Sequence, residues 1–128
     1  MRNDILADAL SAIKSAEFIG KPEVVVPAST IVKEVLRVMQ EKTYIGEYEL
    51  IDDGRGGMIK IKLLGKITRC GAIKPRHSVK MGQYVKWEKR FLPSRDFGAL
   101  VISTPQGIMT HESAKKNNTG GALLAFVY

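Results

Sequence analysis

The sequence predicts an α+β fold made of two parts. In the first half, apolar residues recur at three- and four-residue spacing in two segments, which is typical of amphipathic helices. Short β-branched or alternating runs between and after them predict strands. Later in the chain the apolar runs are shorter and are broken by Gly and Pro, which is typical of β-rich folds. We therefore expect an α/β-type N-terminal half, residues 1–66, with two helices on a three-stranded sheet, and a β-rich C-terminal half, residues 67–128, with one short helix.

The predicted order in the N-terminal half is helix, strand, helix, strand, strand. The helices are expected at about 4–18 and 30–42, capped by Asn3 or Asp4 and by Ser29 or Thr30 respectively. The strands are expected at Glu23–Val26, Tyr44–Ile51 and Ile59–Leu64, the last two joined by a glycine-rich hairpin over 52–57. In the third strand Lys60 and Lys62 alternate with isoleucines, so one face of the strand should be core and the other cationic.

The C-terminal half is predicted to consist mostly of short strands. One segment, Thr110–Asn118, has room for a single short helix, with Thr110 as its cap and Asn117 or Asn118 in the left-handed conformation at its end. The expected strands are Ile67–Ile73, Ser78–Lys80, Leu100–Thr104 and Ala122–Tyr128.

Positive charge is concentrated in the middle third of the chain. The net charge of the 128 residues is +7. Residues 1–54 carry six Lys and Arg against ten Asp and Glu, a net of −4, whereas residues 55–95 carry twelve against one, a net of +11. Such a segment repels itself unless a polyanion screens it, and nucleic acid is the usual partner. A solvated cationic face is the alternative. A membrane surface fits less well, because it favours a basic amphipathic helix, whereas residues 55–95 are predicted to form mostly strands and turns.

Nothing in the sequence indicates a membrane span or a disulfide. No apolar run approaches the roughly 18 residues that a spanning helix needs, and the N-terminus lacks a signal-peptide core. Cys70 is the one cysteine, which excludes an intramolecular disulfide and a cysteine-only zinc site. We expect a soluble intracellular protein with no membrane partner.

The residues that could carry catalysis are few and scattered. His77 and His111 lack further ligands at metal-binding spacing, and Cys70 is more typical of a small apolar strand residue than of a nucleophile. Asp52 and Asp53 are neighbours on opposite strand faces, a poor arrangement for an acid and a base. The sequence therefore predicts no enzyme, no cofactor, no metal and no small-molecule substrate. An RNA-processing or modifying enzyme that uses the same basic surface is the alternative.

Two polar, glycine-containing turns offer binding chemistry instead. Ser103–Gly107 would lie at a strand end and carries two hydroxyls, an amide and an approachable glycine backbone, and Asn117–Gly121 is similar. Short neutral donors and acceptors suit the base edges and 2′-hydroxyls of irregular RNA, although each segment is also compatible with an ordinary turn. Tyr84, Trp87 and Phe91 lie among cations and could stack on bases, but their helical spacing favours packing.

At these residues the sequence resembles a known family. The segment Ser103–Ala114 (STPQGIMTHESA), followed by Gly120, Gly121 and a terminal apolar strand, is similar to the signature of small-subunit ribosomal protein S8. The resemblance extends over the entire chain. Two further segments, Asp4–Leu10 and Tyr44–Glu49, resemble the first helix and the central strand of the family. The segments that resemble its archaeal and eukaryotic branch are Cys70–Arg76 and Arg90–Gly98.

The resemblance implies a two-domain structural component of the small ribosomal subunit, located in the cytoplasm and without catalytic activity. It implies primary binding to the central domain of small-subunit ribosomal RNA, a role in organising platform assembly, and neighbouring ribosomal proteins as partners. The second domain would supply the principal RNA contacts. Relatives often have a hydroxyl residue in place of Pro105, Lys in place of Thr30 and an aromatic residue in place of His77. Regulatory binding to messenger RNA, as proposed for bacterial relatives, is left open.

Fifteen residues are predicted to bind RNA. The resemblance assigns Ser103, Thr104, Gln106, Gly107, Gly120 and Gly121. The charge pattern assigns phosphate contacts to Lys60, Lys62, Lys74, Arg76 and Lys80. The set is completed by Asn118, Ser29, Lys33 and Arg55.

Overall fold

The computed structural model describes residues 4–51, 54, 57–74, 76–80, 82–93 and 97–128. The chain folds as two compact units, Met1–Cys70 and Gly71–Tyr128, where the sequence analysis placed the boundary after residue 66. Helices and antiparallel sheets are both present among the described residues, which confirms the α+β class. The elements are α1 (Ile5–Phe18), β1 (Glu23–Pro27), α2 (Thr30–Glu41), β2 (Ile45–Ile51), β3 (Met58–Leu63), β4 (Cys70–Ala72), β5 (Ser78–Val79), α3 (Tyr84–Phe91), β6 (Ala99–Thr104), β7 (Gly107–Thr110), α4 (His111–Lys116) and β8 (Gly121–Val127).

Both helices of the first unit begin at a side chain that caps them. Asp4 Oδ1 accepts hydrogen bonds from the backbone N–H groups of Leu6 at 3.0 Å and Ala7 at 3.2 Å. Ser29 Oγ accepts one from the N–H of Val32 at 3.2 Å. These bonds satisfy donors that have no partner within the first turn of a helix. Both predicted helices are therefore confirmed, with Asp4 and Ser29 as their caps.

The sheet of the first unit has the strand order β1-β3-β2, and both pairings are antiparallel. In the central strand Ile59 and Ile61 are buried, while Lys60 and Lys62 lie on the opposite face. α1 packs on β1 and α2 packs on β2. Because the isoleucine face is the covered one, both helices lie on it, as predicted. Within the predicted hairpin, residues 52–53 and 55–56 lie outside the described part of the chain.

The second unit is built around a sheet in the order β4-β8-β6-β7, with β5 also paired to β8. Leu100, Ile102 and Leu123 from the middle of this sheet form a buried core with side chains of α3. The strand predicted at 67–73 is shorter than expected. β7 was not predicted, because its four residues follow the polar turn directly and contain too short an apolar run to stand out.

The prediction of one short helix in the second half is wrong, because the structure contains both α3 and α4. α4 begins at the predicted cap, since Thr110 Oγ1 accepts a hydrogen bond from the N–H of Ser113 at 3.2 Å. α3 gives no such signal: Gln83, the residue before it, makes no side-chain capping bond, and the buried side of α3 includes the charged residue Glu88. The reading of residues 55–95 as mostly strands and turns is corrected for the same reason.

Candidate nucleic-acid interface

The hairpin between β6 and β7 is closed by Thr104. Its Oγ1 donates a hydrogen bond to the carbonyl oxygen of Gly107 at 2.7 Å and accepts one from the backbone N–H of Gln106 at 3.1 Å. Thr104 is only 9% exposed. Gly107 has a φ of +120°, a conformation that L side chains rarely adopt. The turn is therefore held in shape by its own residues, and the Thr104 hydroxyl is occupied within it.

Ser103 and Gln106 are the polar side chains that the same turn leaves available. Ser103 is half-buried and Gln106 is exposed. Within the described part of the chain, neither side chain makes a hydrogen bond. One hydroxyl and one amide can therefore face a ligand, whereas both hydroxyls of this turn were predicted to bind RNA.

Gly120 and Gly121 lie where neighbouring strands approach closely. A methyl group at Gly121 would collide with the carbonyl oxygen of Ser103, and one at Gly120 with the carbonyl oxygen of Val79. Any other residue would force these strands apart, because both obstacles are backbone atoms. The two glycines thus have a packing role that is independent of any contact with RNA.

The turn that leads from α4 into β8 is equally ordered. Asn118 has a φ of +52°, as predicted, and its N–H donates to the carbonyl oxygen of Lys115 at 3.2 Å. The N–H of Thr119 donates to the carbonyl oxygen of Ala114 at 3.0 Å, which completes a Schellman motif. Tyr84 Oη donates to the carbonyl oxygen of Thr119 at 2.7 Å. The side chain of Asn118 remains exposed at the tip.

These segments meet at one end of the second sheet. Strand pairing places Ser103 opposite Ala122 and Val79 opposite Gly121. The backbone of Lys80 consequently runs beside Gly120. The preceding segment, which carries the exposed residues Lys74 and Arg76, also follows β8, since Leu123 N–H donates to His77 O at 2.9 Å. We call the residues at this end the sheet-end surface: Ser103, Gln106, Gly107, Asn118, Gly120, Gly121, Arg76 and Lys80.

The predicted lysines of the first unit lie in a different electrostatic setting. Lys60 Nζ is 3.5 Å from Glu23 Oε2, and Glu49 is the cross-strand partner of Lys60 on β2. Glu23 is in turn the cross-strand partner of Lys62. This face of the sheet carries carboxylates beside its lysines, so it attracts a polyanion less than the +11 charge of residues 55–95 suggested.

The other predicted residues of the first unit belong to α2 or fall outside the described chain. Ser29 uses its hydroxyl to cap α2, and Lys33 is exposed on the first turns of that helix. Arg55 lies outside the described residues.

A buried polar cluster joins α3 to α4. Glu88, only 5% exposed, accepts hydrogen bonds at Oε1 from Lys115 Nζ at 2.6 Å and from His111 Nε2 at 3.0 Å. The backbone N–H of Leu100 donates to His111 Nδ1 at 3.1 Å, so Nδ1 is unprotonated and the ring proton is on Nε2. Burial lowers the pKa of His111. No role was predicted for His111; in the structure its side chain links α3 to β6 through Glu88 and the Leu100 N–H.

Tyr84, Trp87 and Phe91 pack within the second unit, which confirms the packing alternative. The first two are buried and the third is partly buried against the same core. The ring of His77 stacks on Trp87 with 4.6 Å between centroids. With its aromatic side facing inward, α3 presents a row of exposed cations that the predicted set omitted: Lys86, Lys89 and Arg90.

The described residues form no metal site, no membrane-spanning helix and no reactive thiol. No group of three or more His, Cys, Asp or Glu residues among them could hold a metal ion. None of the described helices is both long and apolar enough to cross a membrane. Cys70 is buried, and burial raises the pKa of its thiol to about 12, so this cysteine acts as a small apolar residue.

Comparison with known proteins assigns the family. The family model described as Ribosomal protein S8 matches residues 4–128. A curated protein of Methanococcoides burtonii, the small ribosomal subunit protein uS8, is 48% identical over 126 residues, which cover 98% of this chain and 97% of that protein. The chain belongs to the ribosomal protein S8 family. The resemblance to its archaeal branch is thereby confirmed.

Membership in the S8 family settles the class of function. The chain is a structural protein of the small ribosomal subunit and not an enzyme, so the RNA-modifying alternative is dropped. Its place is the ribosome, and its partners are ribosomal RNA and other ribosomal proteins.

Proposed function

We propose that this chain binds the central domain of small-subunit ribosomal RNA directly, as a primary binding protein, and helps to organise assembly of the platform. The unit Gly71–Tyr128 makes the principal contact through the sheet-end surface. The observation that carries this proposal is the convergence of two polar turns, 103–107 and 118–121, beside Lys80 at one end of the second sheet.

Recognition within this surface comes from its neutral groups. The Ser103 hydroxyl and the Gln106 amide can each donate and accept hydrogen bonds, so they suit base edges and 2′-hydroxyls in an irregular RNA helix. The bonds of Thr104 and the constrained glycines hold both side chains in place before RNA arrives. A rigid surface of this kind loses little conformational entropy on binding, which favours affinity.

The cations around this surface position the RNA without reading its sequence. Lys74, Arg76 and Lys80 are exposed on the segment that runs along β8. Their charges contact phosphates, which are the same in every sequence. Lys33, Lys60 and Lys62 of the first unit contribute weaker phosphate contacts, and Ser29 lies at the start of the same helix as Lys33.

Hydroxyl-radical footprinting of full-length small-subunit RNA with the full chain tests the proposal. We expect protection confined to the central domain. Ser103→Ala and Gln106→Ala should each weaken that protection by about tenfold or more, because a lost hydrogen bond leaves a desolvated RNA group at a cost on the order of 1–3 kcal/mol.

Ser11→Ala is the matched control, since Ser11 is an exposed serine on α1 in the other unit. Protection elsewhere in the RNA, or none, would refute central-domain binding. Protection that is equally strong with Ser103→Ala, Gln106→Ala and Ser11→Ala would instead exclude the sheet-end surface as the contact.

A further inference from the structure

Two large apolar side chains are exposed at the end of α1. Phe18 is 90% exposed and Ile19 is 64% exposed. They line an open groove of about 690 Å³ together with Lys14, Ser15, Thr68 and Arg69, all within the first unit. None of these residues belongs to the predicted set, and the packing of the first unit does not use the Phe18 ring.

Phe18 is the last residue of α1, and the chain leaves the helix in a defined turn directly after it. The N–H of Gly20 donates to Glu17 O at 3.1 Å and the N–H of Lys21 to Ala16 O at 2.9 Å, while Gly20 has a φ of +76°. This is a Schellman motif, in which an apolar residue after the glycine usually covers the last turn. Here that position is Lys21, so no apolar side chain from it covers the last turn of α1.

The opposite wall of the groove is tied to the same helix. Glu17 Oε2 accepts a hydrogen bond from the N–H of Ile67 at 3.1 Å, and Cys70 Sγ contacts Leu10 O at 3.5 Å. These contacts hold the segment that carries Thr68 and Arg69 against α1. The groove is therefore preformed, with both its walls anchored.

The chemistry of the lining matches a nucleotide. An exposed aromatic ring offers a stacking surface to any base, and Ser15 and Thr68 offer hydroxyls for base or sugar edges. Lys14 and Arg69 supply two positive charges, and none of the described lining residues carries a carboxylate. Glu17, the nearest acidic residue along α1, is engaged by Ile67. The volume lies within the range of small-ligand sites, about 300–1,000 Å³.

We propose that this groove holds an unpaired nucleotide of ribosomal RNA, with the base stacked on Phe18 and the flanking phosphates beside Lys14 and Arg69. The inference rests on the proposed function, since it presupposes that the chain binds this RNA. It adds a second RNA contact, on the first unit, that is independent of the sheet-end surface. A protein segment is the competing occupant, but two cations beside an exposed aromatic ring, with no carboxylate among the described lining residues, favour a polyanion that carries planar bases.

Replacement of Phe18 by residues of different stacking ability tests the inference. Affinity for full-length small-subunit RNA is measured for the wild-type chain and for Phe18→Ala, Phe18→Leu and Phe18→Trp. Stacking predicts that Trp retains or improves affinity, whereas Leu and Ala lose about fivefold or more. The variants should keep the fold, because the ring is exposed and Ala and Leu favour helices. Leu50→Ala, which truncates an exposed apolar residue of the same unit, is the matched control.

Fluorescence of Phe18→Trp gives a second readout. The native Trp87 is buried, so the added emission of the variant reports the groove. We expect RNA to quench it, and Arg69→Gln in the same background to weaken the quenching. Wild-type affinity in all three Phe18 variants would overturn the inference and leave the proposed function intact. Unchanged RNA affinity with poorer incorporation of Phe18→Ala into subunits would overturn it in favour of a protein occupant. Failure of the wild-type chain to bind the RNA would overturn the proposed function and this inference together.

Discussion

At the scale of single residues, Ser103 and Thr104 are adjacent hydroxyl residues that the hairpin uses in opposite ways. The Thr104 hydroxyl makes two hydrogen bonds within the turn, whereas the Ser103 side chain makes no hydrogen bond among the described residues. Both residues were predicted from the sequence to bind RNA. The Thr104 hydroxyl therefore holds the shape of the turn, and the Ser103 hydroxyl is available to contact RNA.

Thr104→Val should therefore lower the melting temperature, by roughly 3–12 °C, because it removes two bonds worth about 0.5–1.5 kcal/mol each. Affinity for RNA should fall only to the extent that the loss of these two hydrogen bonds loosens the turn. Thermal unfolding monitored by circular dichroism checks this, with Thr104→Ser and Ser103→Ala as controls that should melt like the wild type. An unchanged melting temperature for Thr104→Val would contradict the role in the turn.

His111 makes stability depend on pH. Leu100 N–H can donate only to an unprotonated Nδ1, and burial lowers the pKa of His111, so the folded imidazole resists protonation. The unfolded imidazole has a pKa of about 6.5 and takes up its proton first as the pH falls. The unfolded state then binds more protons than the folded state, so acidification favours unfolding.

His111 should accordingly contribute fully to the free energy of unfolding well above pH 6.5. This free energy should decline as the pH falls from about 7.5 towards 5.5. Urea titrations across that range measure the decline. Long-range ¹H–¹⁵N NMR on the folded protein should show Nδ1 of His111 unprotonated at neutral pH. An imidazole that titrates at or above about 6.5 in the folded protein would be inconsistent with this account.

At the scale of elements, the lysines of β3 and those beside β8 differ in their neighbours. Lys60 lies beside Glu23 and opposite Glu49, while Lys80 is exposed next to Gly120 on the sheet-end surface. Both side chains of the Lys60–Glu23 ion pair are partly exposed, at 38% and 47%, so the pair adds little to stability. Its main effect is to offset the local positive charge.

Lys80→Ala should reduce affinity for cognate and scrambled RNA by similar factors, because phosphate contacts carry no sequence information. Lys60→Ala, the matched change of the same residue type, should have a smaller effect. Filter binding with both RNAs measures the four affinities. Equal losses of affinity for the two variants would contradict the difference between Lys60 and Lys80. A loss of discrimination between cognate and scrambled RNA with Lys80→Ala would contradict the phosphate contact.

At the scale of the whole molecule, the net charge of +7 and the +11 carried by residues 55–95 predict binding that depends on salt. Each phosphate that the protein neutralises releases counterions. With four or more phosphate contacts, the plot of log affinity against log salt should have a slope of about −3 or steeper. Binding titrations from low to physiological salt give this slope. A nearly flat line would rule out the phosphate contacts assigned here.

The sequence by itself determined those features that depend on neighbours along the chain. The spacing of Leu6, Leu10 and Ile13 predicts α1, Asp4 and Ser29 are recognisable caps, and the alternation in β3 separates core from surface. Helix and strand periodicity and capping are local properties, so a linear pattern contains them. The STPQG segment likewise indicated the family, because its signature is contiguous.

Tertiary structure alone decided the features that depend on residues far apart in sequence. α3 was not predicted although its aromatic residues have helical spacing, because it lacks a side-chain cap and the buried Glu88 is compensated only by the distant residues Lys115 and His111. Strand pairing likewise brought Ser103 beside Gly121 and placed Glu49 opposite Lys60. Charge compensation and close backbone approach arise only when distant parts of the chain pack together. The linear sequence therefore contains the residues of a site, but it does not show which of them already bond to one another.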